Sequence, residues 1–277
     1  MRHGIVILTD LPWAEARPRW EAAEALGFEH AWTYDHLVWG GLPDAPWTGA
    51  FPTLTAAAMV TESIGLGTFV ASPNYRHPYV LLRDAVALAD VASDRFLLGL
   101  GTGGDGDAMR LGEDLTLRQR VDRFHEYVRL LDRLLREDHV DHDGDFYTVR
   151  DAQTLPGPAR SRVPLWIAAN GPRSITLAAQ RGDAWITYGG KGETVDEWFT
   201  HVAGLMDRFR TASEGRDVRA VLSLDSSPQF SLASVAVFEE MTGRAAELGF
   251  DDVVSHWPRT EGPYAGDEAV LERLTLG

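Results

Sequence analysis

A chain of 277 residues with 44% hydrophobic content is long enough for one large α/β domain or two small ones. The absence of cysteine removes disulfides, thiolate nucleophiles and cysteine metal ligands. The formal charge of −15 argues against nucleic acid and anionic membrane partners, which need a basic footprint. No signal-like leader opens the chain and no apolar run approaches bilayer length, so a cytoplasmic location is expected.

Short apolar runs alternate with helical periodicity from the start. GIVIL reads as a buried strand, and Trp13 to Leu26 as a helix closed by Gly27. HAWTYDH is a second strand. The loop from Leu37 to Phe51, rich in Gly, Pro and Trp, has a length more often functional than idle. A helix over Thr53–Ser63 leads to a third strand, IGLGTFVA. Asn74 to Pro78 opens a helix over Tyr79–Ala92, and RFLLGLGTGG is a fourth strand with a glycine-rich exit into a looser acidic loop.

Leu115 to Glu137 is the longest helical stretch, with Val121, Phe124, Val128, Leu131, Leu134 and Leu135 on one face. VDHDGDFYTV then carries the Asp-Gly turn and alternation of a β-hairpin. The Asp and His residues crowded here fit a solvated hairpin better than a metal site, because a two-residue turn sends neighbouring side chains to opposite faces. No metal is expected. The Pro-rich PGPARSRVP leads to VPLWIAA, a run suited to a strand buried on both faces, which ends in Asn170-Gly171-Pro172. Pro172 suits the first turn of a helix that Gly182 stops. DAWITY follows and runs into Gly189-Gly190-Lys191-Gly192. Beyond it, Thr194–Thr211 is a helix, RAVLSLD a strand, Ala233–Leu248 a helix and DDVVSHW a strand.

Eight strands alternating with helices, with the hairpin as an insertion after the fourth helix, favour a single (β/α)8 TIM barrel over residues 1–277. Active sites of such barrels lie in the loops after the strands. Asp10, Asp35, His36, Tyr75, Arg76, His77, Thr102, Gly103, Gly104, Asn170, Gly171, Lys191, His256, Trp257 and Arg259 all fall there. Two glycine turns, one opening a helix and one carrying an ammonium group, offer a phosphate free N–H groups, a helix N-terminus and a point charge. Lys191 is the sole lysine among 26 Lys and Arg residues, so a compact ammonium stands where the chain elsewhere uses a guanidinium. His36 is suited to proton transfer near neutral pH, although a histidine at a strand end can simply bond to backbone. Arg76 and His77 either reach the site or fix the start of a helix.

YDH at 34–36, RHP at 76–78, RFLLGLGTG at 95–103, DGDFYTV, VPLWIAANGP and GDAWIT together resemble the luciferase-like superfamily of flavin- and deazaflavin-dependent oxidoreductases. GGKG at 189–192 is similar to the phosphate loop of the branch using coenzyme F420. The resemblance implies that Asn170, Gly171 and Lys191 receive the coenzyme phosphate and that Thr102 and Gly103 pass along its ring or ribityl chain. It places His36 near the hydride-accepting carbon, with Asp35 beside the coenzyme, and a cis peptide at Phe69-Val70. Homodimerisation is also implied. In the sugar-phosphate dehydrogenases of that branch an acid directly follows Gly-Thr-Gly; here that position is Gly104 and the nearest acid is Asp105. The tryptophan after Asp-His is offset, at Trp39. Both departures touch the substrate side, where Asp10, Trp39, Trp47 and Asp105 are the candidates.

The expected function is thus an F420-dependent oxidoreductase moving a hydride between the deazaflavin and a small organic substrate, with His36 as acid/base. The substrate is an enone or imine to be reduced or an alcohol to be oxidised. A monooxygenase using reduced FMN is the alternative, and a non-catalytic flavin-binding protein of this fold a third reading.

Overall fold

The computed structural model describes residues 1–153 and 163–276, apart from the side chain of Asp105. Most of the Pro-rich segment expected before the fifth barrel strand lies outside the described residues. The described residues form ten strands and eight α-helices: β1 Arg2–Val6, α1 Trp13–Ala25, β2 His30–Thr33, α2 Ala50–Ala58, β3 Gly65–Thr68, α3 Pro78–Val91, β4 Phe96–Leu100, α4 Asp105–Arg110 and α5 Leu117–Leu134. Then come β5 Val140–Asp143, β6 Thr148–Ala152, β7 Leu165–Ala168, α6 Pro172–Arg181, β8 Ala184–Thr187, α7 Val195–Ala212, β9 Arg219–Ser223, α8 Val235–Glu247 and β10 Asp252–His256.

Eight strands close a parallel barrel in the order β1-β10-β9-β8-β7-β4-β3-β2, and β5 pairs only with β6. The barrel is the TIM-type fold expected from the alternation of elements. Its strands are only four or five residues long and almost wholly buried. One side of each strand therefore feeds an inner cluster of Val6, Trp32, Trp166, Ile186, Val221 and Val254, while the other packs under the helices. Contacts between helices and strands bury Trp20, Trp185 and Trp198 completely.

The floor of the barrel is polar. Asp252 accepts from Arg2 Nε at 2.7 Å and Arg219 Nε at 2.9 Å, and His30 Nε2 lies 2.9 Å from the same carboxylate. Trp32 Nε1 donates to His30 Nδ1 at 2.6 Å, so Nε2 carries the proton that faces Asp252. Burial pushes the His30 pKa down against the pull of Asp252. Burial would push the Asp252 carboxyl up, but His30 and Arg2 outweigh it and hold it below the usual range.

Two expectations need correction. The acidic loop after β4 forms the short helix α4, because Gly104 in an extended conformation lets Asp105 start a helical turn. The hairpin also turns differently. Gly144 N donates to Tyr147 O at 3.0 Å across Asp145 and Phe146, and no residue from 143 to 146 takes a positive φ, so Asp143-Gly144 is not the centre of a primed turn. Glu126 of α5 decides this by accepting from the N–H groups of Phe146 and Tyr147 and lying 3.0 Å from His142 Nε2. Among the described residues no three His, Asp or Glu side chains converge on a point that could hold a metal. No helix among them is long and apolar enough to cross a membrane.

Candidate active site

The loops after the barrel strands meet at one mouth, and His36 stands in it just beyond β2. Its Nδ1 lies 2.7 Å from Asp107 Oδ2, while the other carboxylate oxygen accepts from Leu37 N at 3.0 Å. Asp107 sits on the inner face of α4 and is 3% exposed. Burial alone would raise its carboxyl, but the His36 bond and the two backbone N–H groups of Leu37 and Val38 win and hold it below the usual range. A carboxylate can only accept, so Nδ1 carries a proton and Nε2 is the nitrogen left to give or take one. No described residue bonds that nitrogen. Asp107 was not among the sequence candidates. It is 71 positions from His36, and only the folding of the acidic loop into α4 brings it there.

Asp35 does something else. Both its oxygens take the guanidinium of Arg76, at 2.6 and 2.9 Å, in a bidentate pair that is nearly sealed from water. Arg76 also packs over the rings of Phe51 and Tyr75. The pair ties the end of β2 to the segment before α3, so Asp35 shapes the wall rather than lining it. His77 caps α3 by accepting from Tyr79 N at 3.2 Å, which answers for that residue the question left open by the sequence.

The Phe69-Val70 bond is cis, at the position the resemblance implied. The glycine-rich exit of β4 makes room beside it: a Cβ on Gly99 would lie 1.8 Å from Thr68 O, and one on Gly101 2.4 Å from Val70 Cγ2. Phe69 and Val70 are partly exposed and border the inner aromatic cluster. Thr102 and Gly103 follow on the same rim, and Arg120 and Arg123 of α5 steady the turn. Arg120 donates to Gly103 O, and Arg123 to Asn74, whose amide in turn holds Gly104 O.

Across the barrel, Thr187 links the two glycine turns. Its hydroxyl donates to Asn170 Oδ1 at 2.8 Å and accepts from Gly189 N at 3.1 Å. Gly171 starts α6 with no side chain capping the helix, leaving its first N–H groups open to an anion. Gly189 and Gly190 have φ of 79° and 104°, so the turn needs glycine there. Lys191 is exposed and makes no hydrogen bond or ion pair with the described residues. It borders an open groove of about 790 Å³ together with Glu197, His201, Ser226 and Ser227; Asn170 and Gly171 are not in that lining. The structure thus joins Asn170, Gly171 and the glycine turn through Thr187, while the exposed Lys191 borders a groove that Asn170 and Gly171 do not line.

On the remaining side of the mouth the long loop folds Trp39 and Trp47 over the inner cluster, with ring centroids 6.2 Å apart. Asp10 is buried and paired with Arg259. The Asp105 side chain lies outside the described residues.

The match to known proteins follows this geometry. Residues 1–229 fit the luciferase-like monooxygenase family. The chain belongs to it. An F420-dependent glucose-6-phosphate dehydrogenase of Intrasporangium calvum is 29% identical over 287 aligned residues, covering 92% of this chain and 84% of the relative. The enzyme of the same description from Mycobacterium avium is 31% identical, covering 91% and 81%. In three dimensions an F420-dependent secondary alcohol dehydrogenase, solved with an F420-acetone adduct, superposes with a TM-score of 0.82 over 99% of this chain and 98% of its own at 16% identity. The barrel fold therefore holds over nearly the whole length.

Proposed function

We propose that this luciferase-like protein is an F420-dependent oxidoreductase that moves a hydride between the deazaflavin and a small organic substrate. The observation that carries the reading is the His36–Asp107 pair at the mouth of a barrel whose near-full-length relatives are F420-dependent dehydrogenases. The mouth suits such a coenzyme on its own geometry. An uncapped helix N-terminus and a positive-φ glycine turn, joined by Thr187, fit a phosphate; the partly exposed Phe69-Val70 segment and the Thr102-Gly103 rim fit a flat ring. Bound there, the deazaflavin supplies a carbon centre that gives or takes a hydride.

The chain's own residues supply the rest. Asn170, Gly171 and Lys191 hold the phosphate, with Lys191 reaching in from the rim. Asp107 fixes the tautomer of His36, whose Nε2 then gives or takes the proton at the substrate oxygen. Trp39 and Trp47 exclude water from the substrate, and Asp10 marks the far wall of its pocket. Homodimerisation belongs to the same reading. The apolar side chains of Met59, Val80 and Val91 are 73%, 55% and 40% exposed, and Val91 lines the groove between α2 and α3.

Titration of the apoprotein with F420 and, separately, with FMN, followed by fluorescence and heat, tests the coenzyme. Micromolar binding of F420 that weakens about tenfold in Lys191→Ala is the expected result. Tight FMN binding with none for F420 would replace the reading with an FMN-dependent monooxygenase. Unchanged F420 affinity in the variant would confine the phosphate site to Asn170 and Gly171.

A further inference from the structure

A second hydrogen-bonded acid/base system lies in the same wall. Asp225, in the loop after β9, has a fully buried carboxylate that accepts from His256 N at 2.6 Å and Ser231 N at 2.8 Å and lies 3.0 Å from His256 Nδ1. This arrangement puts a proton on Nδ1 and turns Nε2 toward Tyr34, whose hydroxyl is 2.6 Å away. The Tyr34 oxygen is in turn 3.2 Å from the hydroxyl of Tyr264. Burial first, then Tyr264 and Asp225, push the Tyr34 phenol well above its ordinary pKa, so it stays protonated; its one proton goes to Nε2 when His256 is neutral and to the Tyr264 oxygen when Nε2 carries a proton. Tyr264 stacks on His256 at 3.8 Å on one side and on Trp39 of the pocket loop at 5.9 Å on the other. Tyr34 meets the ring of His36 edge-on at 5.9 Å.

The barrel mouth therefore holds two proton stations, His36–Asp107 and Tyr264–Tyr34–His256–Asp225, and the number matters for the substrate. Interconverting an alcohol and a ketone, or reducing an imine, moves one hydride and one proton to or from a single heteroatom, which one station serves. Reducing an α,β-unsaturated carbonyl needs two. One group must polarise the oxygen, and another must deliver a proton to the α-carbon after hydride has reached the β-carbon.

Resting on the F420 reading above, we infer that the substrate class is an α,β-unsaturated carbonyl compound, with His36 at the oxygen and Tyr264 as donor to the α-carbon. With a hydride supplied to the β-carbon by the reduced coenzyme that this mouth would hold, the C=C electron pair would move to form the enolate. That pair then takes the Tyr264 proton to make the new α-C–H bond and restore the C=O. Tyr264 regains a proton from Tyr34, and Tyr34 from the His256 imidazolium held by Asp225. The net change is a saturated ketone, oxidised coenzyme and one proton given up by His256, which is restored before the next turnover. The titratable groups touching His256 are Asp225, Tyr34 and Tyr264; His36 with Asp107 lies beyond the Tyr34 ring, and Asp10 with Arg259 on the β1 side.

The test uses the full chain with reduced F420 and cyclohex-2-en-1-one, and 2-propanol with oxidised F420 as the opposing probe. Expected are conversion of the enone to cyclohexanone, one deuterium at the α-carbon in D2O, and a loss of about 100-fold in kcat in Tyr264→Phe with F420 binding unchanged. Oxidation of 2-propanol without enone reduction, or no enone reduction by protein that binds F420, would overturn the inference. So would a Tyr264→Phe variant as fast as wild type. A wild type that does not bind F420 overturns the coenzyme reading instead. For that case the relay is judged in the apoprotein by NMR of 15N-labelled histidines. Tyr34→Phe removes the donor that stabilises neutral imidazole, so the His256 midpoint should rise, and Tyr264→Phe should raise it less; an unmoved midpoint sinks the relay.

Discussion

Asp107 and His36 act as one unit because the carboxylate has no donor of its own and the imidazole has one nitrogen left over. Asn at position 107 keeps the shape but offers an amide that can present either N–H or oxygen to Nδ1, so the tautomer is no longer imposed. For Asp107→Asn the expectation is a kcat lower on the order of 10²-fold with coenzyme affinity preserved, read by steady-state kinetics beside an F420 titration. Equal kcat in variant and wild type would remove Asp107 from the chemistry. His36 was legible in the sequence because a histidine after a buried strand and before a Trp-rich loop stands out. Asp107 was not, since Asp105 and Asp107 look alike until α4 turns the latter inward.

At the scale of elements, the barrel is closed on its floor by charge as well as by strand pairing. Asp252 joins the starts of β1, β2, β9 and β10 through Arg2, His30 and Arg219. Asp252→Ala leaves three donors without their acceptor, and a loss of about 3 kcal/mol is expected in urea denaturation at pH 7. The pH dependence follows from the two shifts. The folded pKa of His30 is below its ordinary 6.5, so the unfolded chain takes up that proton first, and the stabilisation present above 6.5 drains away as pH falls below it. Asp252 is also lowered, so its contribution, present above 3.8, is lost on further acidification. In Asp252→Ala the loss of stability as pH falls below 6.5 should become steeper, because Asp252 opposes the burial that lowers the His30 pKa, while the further loss below 3.8 that belongs to Asp252 itself should disappear.

The whole molecule carries a net charge of −15, and self-association must overcome that repulsion. Met59 after α2, with Val80 and Val91 of α3, is the surface proposed for it. Sedimentation at physiological salt is expected to give a dimer, and Val80→Glu with Val91→Glu to give a folded monomer. A wild-type monomer at micromolar concentration would remove dimerisation from the reading.

The sequence alone determined the architecture, because short buried runs alternating with amphipathic segments admit few arrangements besides a barrel, and strand ends are visible as glycine and polar punctuation. It also placed His36, Asn170, Gly171 and Lys191 at one end, since which end of a strand a loop follows is a matter of chain order. Only the tertiary structure decided what each polar group faces. Asp35 spends its carboxylate on Arg76, Asp107 reaches His36 across 71 residues, and Asp225, His256, Tyr34 and Tyr264 come from four separate segments. Hydrogen bonds at that separation leave no periodic trace in a chain, because their geometry is set by the closing of the barrel rather than by local backbone preference.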